Sequence, residues 1–224
     1  NLSNAFKTLV LTIPNQNEIL NAHAKLNPIA VQLACNWLNK EIANSSREEL
    51  IETYLRLYKN SPAKEGMSSI SDRALKNICL FLLASRHDAA TKDLAIKQFH
   101  EATNMTDELS SLQSLDTLDK ELADDAIHLF YNKWKNNPLV LDKWFSLQAS
   151  RNHKRGLSAI KELTQHESFE ITNPNRVRAV LGGFSVENTF IFHNEDGTGY
   201  EFFIDQVLKV DRVNPSVASR LLGV

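Results

Sequence analysis

Four of the six prolines in this 224-residue chain directly follow an asparagine, at Asn27-Pro28, Asn137-Pro138, Asn173-Pro174 and Asn214-Pro215. An asparagine side-chain oxygen accepts an amide proton that the first turn of a helix leaves unpartnered. Proline at the first helical position loses nothing by lacking its own N–H. Each pair precedes an apolar pattern of helical period, so each reads as a helix start. Glycines number only seven, and no alternating apolar pattern of useful length appears. The runs Phe190-Ile191-Phe192 and Phe202-Phe203-Ile204 are short enough for strands but sit inside a helical rhythm. The prolines at 138, 174 and 215 are spaced by 36 and 41 residues, close to the ~40-residue period of HEAT and armadillo units. The expected fold is all-α: a superhelical array of antiparallel helix pairs, ARM/HEAT-like, in a single helical-repeat domain over 1–224.

Finer expectations follow from the same patterns. Asn15 with Glu18 three residues on predicts a capping box. Ile78-Cys79-Leu80-Phe81-Leu82-Leu83, apolar on nearly every side, predicts a central buried helix. Lys59 to Ser69, with Pro62, Gly66 and several serines, reads as a loop, and Thr106 as the cap of a short helix through Leu115. After Asn173, Val177, Val180, Leu181 and Phe184 share one helical face. Gly182-Gly183 is expected to end that helix in the left-handed conformation.

Composition narrows function by exclusion. A formal charge of −2 and a pI near 6.4 argue against a dedicated nucleic-acid surface, which carries a basic excess. No apolar run approaches the roughly 20 residues that span a bilayer, and Leu9-Val10-Leu11-Thr12-Ile13 lacks the length and basic flank of a signal peptide. Cys35 and Cys79 lie in helical apolar patterns and read as buried thiols in a reducing, cytoplasmic compartment. The chain opens at Asn1 rather than methionine and stops in an apolar run. This predicts a fragment truncated at both ends.

Searches for chemistry find little. No two of the seven histidines lie four apart, so there is no His-Glu-x-x-His zinc helix, and two distant cysteines make no zinc finger. Phosphate-cradling glycine loops and a nucleophile elbow are also absent from the sequence. His100-Glu101 are helical neighbours that point about 100° apart. The polar loop from His193 to Tyr200 lacks the spaced oxygen ligands of a calcium loop and reads as an interhelical turn. Arg176 and Arg178 are separated by roughly 200° of helical rotation, so only one can face a given site. One alternative is a surface arginine beside an ion-paired one; the other is an arginine lining a cavity for an anionic group.

Five stretches in order, residues 97–107, 139–149, the segment from Asn173, 192–200 and 214–221, together resemble the C-terminal domain of bacterial aminopeptidase N, the alanyl aminopeptidases of the M1 zinc metallopeptidase family. The likeness covers nearly the whole chain. It implies a four-domain enzyme whose upstream catalytic domain carries a zinc-binding His-Glu-x-x-His helix, a more distant glutamate and a Gly-Ala-Met-Glu-Asn loop. None of these motifs occurs here. This chain is therefore expected to contribute no catalytic or metal-binding residue and to hold no cofactor, with zinc in the absent catalytic domain. It would cover the active site and shape the substrate cavity of an enzyme that removes N-terminal amino acids from peptides. Its implied partners are the upstream catalytic domain of the same polypeptide and peptide substrates, with no nucleic acid and no membrane. The resemblance points to Asn175, Arg176, Tyr200, Asn214 and Arg220 as substrate-cavity or domain-interface candidates, Arg176 foremost. The competing expectation is a free-standing helical-repeat scaffold that binds a protein or peptide on its concave face.

Overall fold

A computed structural model of the chain describes residues 2–23, 25–60 and 67–223. Among these residues every regular element is helical. The predicted loop at Lys59–Ser69 is helical at both edges, with α4 (Arg47–Asn60) before it and α5 (Met67–Ala84) after it; residues 61–66 lie outside the described residues. The chain divides into two compact units, residues 1–24 with 31–129, and residues 25–30 with 130–224.

In the first unit α1 (Asn4–Leu11), α4, α6 (Ala89–Glu101) and α7 (Met105–Leu118) pack on α5. The all-round apolar run makes α5 the centre, since Leu75, Cys79, Leu80, Leu82, Leu83 and Ala84 are almost fully buried. The capping box at Asn15 opens α2 (Gln16–Ala22), with side chain and backbone of Asn15 and Glu18 bonded reciprocally. Asn104, not Thr106, caps α7: its Oδ1 accepts from the Asp107 amide at 2.9 Å, and the helix runs on to Leu118. Asparagine holds this position because its carbonyl reaches the third amide of the turn. The thiols are free and buried, and burial pushes Cys79 up to about 12, which leaves it protonated and unreactive.

The four Asn-Pro pairs all start helices. Asn27 accepts from Ala30 at the head of α3 (Pro28–Ser45), and Asn137 from Leu139 and Val140 at α9 (Pro138–Ser150). Asn173 accepts from Asn175 and Arg176 at α11 (Pro174–Val177), and Asn214 from Val217 at α14 (Pro215–Leu221). α8 (Lys120–Trp134) and α10 (Leu157–Leu163) flank α9 in sequence.

The expected stop at Gly182-Gly183 does not occur. The backbone after α11 continues as a π-helical segment, Arg178–Glu187, straight through both glycines. Neither is among the positive-φ glycines, which are Gly156 and Gly197. Gly183 is explained by packing instead. A Cβ there would lie 3.2 Å from the Ser146 carbonyl oxygen and 3.3 Å from the Ala149 Cβ, so a hydrogen at this position lets the segment lie against α9. Val180, Leu181 and Phe184 are buried on the same segment. Asn188 then caps α12 (Thr189–Phe192), followed by α13 (Thr198–Asp211).

The two glycines should respond oppositely to alanine. Gly183→Ala forces α9 and the π-segment apart and is expected to cost roughly 1–3 kcal/mol. At Gly182 nothing lies within 4 Å of the added methyl, so Gly182→Ala should be neutral or stabilising by up to about 1 kcal/mol. Denaturant unfolding of the two variants side by side measures this; equal losses would contradict the packing role.

Candidate functional site

In the second unit Arg176, the foremost candidate, sits where α11 meets α9. The cap at Asn173 starts the single turn of α11 and fixes the direction of Arg176, which is 5% exposed. Its Nε donates to Asp142 Oδ1 at 2.6 Å, and Nη1 donates to the Ser168 carbonyl. The guanidinium lies 4.8 Å from the Phe145 ring centroid. Asp142 and Phe145 both come from α9, three residues apart and thus on one helical face. Arg178, two residues further on, is exposed and donates to Asn175 Oδ1 at 3.4 Å. Of the two arrangements weighed for this pair, the structure shows one ion-paired arginine and one at the surface.

Phe145 belongs to an aromatic cluster with Tyr131, Trp144, His166 and Phe169. His166 meets Tyr131, Trp144 and Phe145 with ring centroids 5.3–5.4 Å away. Its Nδ1 accepts from the Ser168 amide at 3.1 Å, so the neutral ring carries its proton on Nε2. Burial lowers its proton affinity, and Arg176 adds to that, against an opposing pull from Glu167.

The other candidates sit apart from this lock. Tyr200 is 45% exposed on the first turn of α13; its hydroxyl is 2.6 Å from His193 Nδ1, and its ring packs on Phe192. Burial also lowers the proton affinity of His193. The loop between them is a turn: Asp196 Oδ1 accepts from the Thr198 amide and hydroxyl, and Gly197 takes a φ of 74°. Asn175 and Arg220 are exposed, while Asn214 is half-buried and caps α14. The elements carrying Asn175, Tyr200 and Arg220 each pack on the π-segment. Among the described residues no group of three His, Cys, Asp or Glu could hold a metal ion.

Two buried polar centres escaped the reading of the sequence. Asn188, 2% exposed, donates to the carbonyls of Ala149 and Arg151 at 2.8 and 2.7 Å, tying the end of α9 to α12. In the first unit, Lys76 and Asp107 form a buried pair at 2.7 Å. Asp107 also accepts from Asn77 and Asn104, and Gln98 bridges Asn77 to the Asp107 carbonyl. A lysine just before the apolar α5 run was the available signal, since lysine is fully buried almost only when paired.

These features define a helical-repeat domain whose buried polar groups lock helices together. The chain belongs to the family described as a domain of unknown function with ARM repeats (DUF3458_C), which matches residues 1–224. It is 37% identical over 213 residues to aminopeptidase N of Escherichia coli, covering 95% of this chain and 24% of that protein. With aminopeptidase N of Haemophilus influenzae it shares 33% identity over 215 residues, again 24% of the relative. A crystal structure of Legionella pneumophila aminopeptidase A in complex with aspartic acid superposes with a TM-score of 0.87 at 28% identity, over 98% of this chain and 27% of that one. The chain thus spans about a quarter of the length of these relatives. The resemblance to the C-terminal domain of M1 aminopeptidases holds.

Two measurements probe the lock. Arg176→Ala strands Asp142 and removes the bond to Ser168, and is expected to cost about 2–4 kcal/mol, whereas Arg178→Ala should stay within about 0.5 kcal/mol. Chemical denaturation of both separates a structural Arg176 from a dispensable one. His166 and His193 bind protons less readily folded than unfolded, so as pH falls below about 6.5 the unfolded chain takes up protons first and stability drops. The melting temperature should therefore be lower near pH ~5.5 than near ~7.5. The double variant His166→Gln/His193→Gln should flatten the profile across that window.

Proposed function

We propose that this chain is the non-catalytic C-terminal helical domain, a single domain over 1–224, of a cytoplasmic zinc-dependent aminopeptidase that removes N-terminal residues from peptides. The observation that carries this reading is the 37% identity to an aminopeptidase along 95% of the chain. The metal and general base that peptide hydrolysis requires are supplied by a catalytic domain elsewhere in the polypeptide. The part played here is shape: covering the active site and restricting which peptides enter. Exposed apolar side chains support a covered surface. Phe6, Leu9 and Val10 on α1 and Leu33, Trp37 and Leu38 on α3 are 40–70% exposed, more than a self-sufficient domain needs to leave in water.

Among the candidates, Asn175, Tyr200 and Arg220 are the exposed ones and are assigned to the cavity wall or the domain interface. Arg176 and Asn214 support them from behind, through the Asp142 pair and the α14 cap. The test has two arms. The purified chain with added zinc should hydrolyse no alanyl amide; activity in a clean preparation would overturn the non-catalytic assignment. In the longer polypeptide, Tyr200→Ala and Arg220→Ala should change kcat/KM for peptides several-fold more than for a small alanyl amide. Equal effects on both substrates would remove these residues from the cavity wall.

A further inference from the structure

A groove of about 490 Å³ lies in the second unit between the end of α10 and α13. Its volume falls within the roughly 300–1,000 Å³ of small-molecule sites. Lys161, Thr164 and Gln165 line it from the last turn of α10 and the residues just beyond. Phe202, Gln206 and Lys209 line it from α13, where their spacing of i, i+4 and i+7 makes one helical face. The apolar wall is held from behind. Phe169 packs on Phe145 with ring centroids 6.4 Å apart, and Phe202 meets Phe184 edge-on at 5.9 Å. A wall fixed in this way needs little ordering when a ligand arrives.

The charges around the groove are one-sided. Lys161 and Lys209 line it, and among the described residues no aspartate or glutamate does. Glu162, beside Lys161 on α10, is engaged by Arg155 at 2.5 Å, and Glu167 accepts from the Tyr131 hydroxyl. Neither lysine has an ion-pair partner among the described residues, and Asp205, one turn before Lys209, is not one. The carbonyls of Lys161, Glu162 and Leu163 already accept from the amides of Thr164, Gln165 and His166, so the end of α10 adds no free acceptor. A lysine on an open surface carries its head out into water. The Lys161 ammonium instead lies 5.9 Å from the Phe202 ring centroid, over the apolar wall.

We propose that this groove binds a small organic acid, a carboxylate joined to an aromatic or branched apolar body. The body lies against Phe169, Ile171 and Phe202. The carboxylate pairs with Lys161 in a charge-assisted hydrogen bond, Lys209 adds to the attraction, and the Gln165 and Gln206 amides supply neutral donors. The site is independent of the peptidase reading, since none of its residues belongs to the wall candidates.

The test is an NMR titration of the 224-residue chain with 3-phenylpropionate, following the Gln165 and Gln206 side-chain amides. Its uncharged counterpart, 3-phenylpropanamide, and inorganic phosphate are the comparison probes. Saturable shifts are expected with the acid, several-fold weaker binding with the amide, and none that saturate with phosphate. Lys161→Gln and Lys209→Gln, both at exposed positions, should each weaken binding of the acid several-fold, and Lys161→Arg should retain it. Higher salt should weaken it as well. Equal affinity for acid and amide would reduce the groove to an apolar contact, and saturable phosphate binding of equal strength to a patch of positive charge. Either result, or affinity unchanged in both glutamine variants, overturns the proposal. So does binding that disappears in the longer polypeptide, since another part of that protein then covers the groove.

Discussion

The close approach of α9 to the π-segment governs the second unit. It depends on a missing side chain, because only glycine at 183 leaves room for the Ser146 carbonyl and the Ala149 methyl. Once the backbones are that near, three things follow. Asp142 and Phe145 on α9 come within reach of Arg176 at the start of the adjoining segment. Asn188 at its end reaches the last carbonyls of α9, which a helix C-terminus leaves unpartnered. Phe184, between them, turns to meet Phe192 and Phe202. A π-helical stretch suits this, since its wider turn changes the spacing at which side chains emerge.

Two buried ion pairs among the described residues are built differently. Arg176 is closed, with its charge on Asp142, another donor on Ser168 and its flat face on Phe145. Guanidinium geometry permits this, because its donors are fixed in a plane that stacks while it bonds. The Lys76–Asp107 centre is open. Asp107 is surrounded by donors from Lys76, Asn77 and Asn104, while the acceptor on Gln98 has none among the described residues. A buried pair contributes little net stability once desolvation is counted, so each centre is better understood as fixing which helix faces meet.

Much of the fold was legible because its signals are local. An Asn-Pro pair acts within one turn, and all four pairs start helices; the all-round apolar run of α5 required burial wherever it fell. The errors came where long-range packing decides. Gly182-Gly183 carries the local signature of a stop, yet its use is set by α9, some 35 residues earlier in the chain, and no local pattern announces that neighbour. Asn188 and Lys76 were missed for the same reason, since their partners Ala149, Arg151 and Asp107 are distant in sequence. Arg176 was partly readable: helical rotation established that it and Arg178 diverge, but only the position of Asp142 says which of them is buried.

That division bears on which residues of a repeat domain are free to vary. The buried Arg176 and Asn188 and the half-buried Asn173 cap are bonded to backbone or to paired charges, so any change in them is felt first as stability. Residues on the outer turns of α11, α13 and α14 can vary with little structural cost, because the π-segment beneath them carries the packing. Tyr200 illustrates the arrangement, with one edge held by Phe192 and His193 and the rest of the ring in solvent. A surface made this way combines a rigid backing with a replaceable face. The face can then change by substitution while the helix array stays fixed.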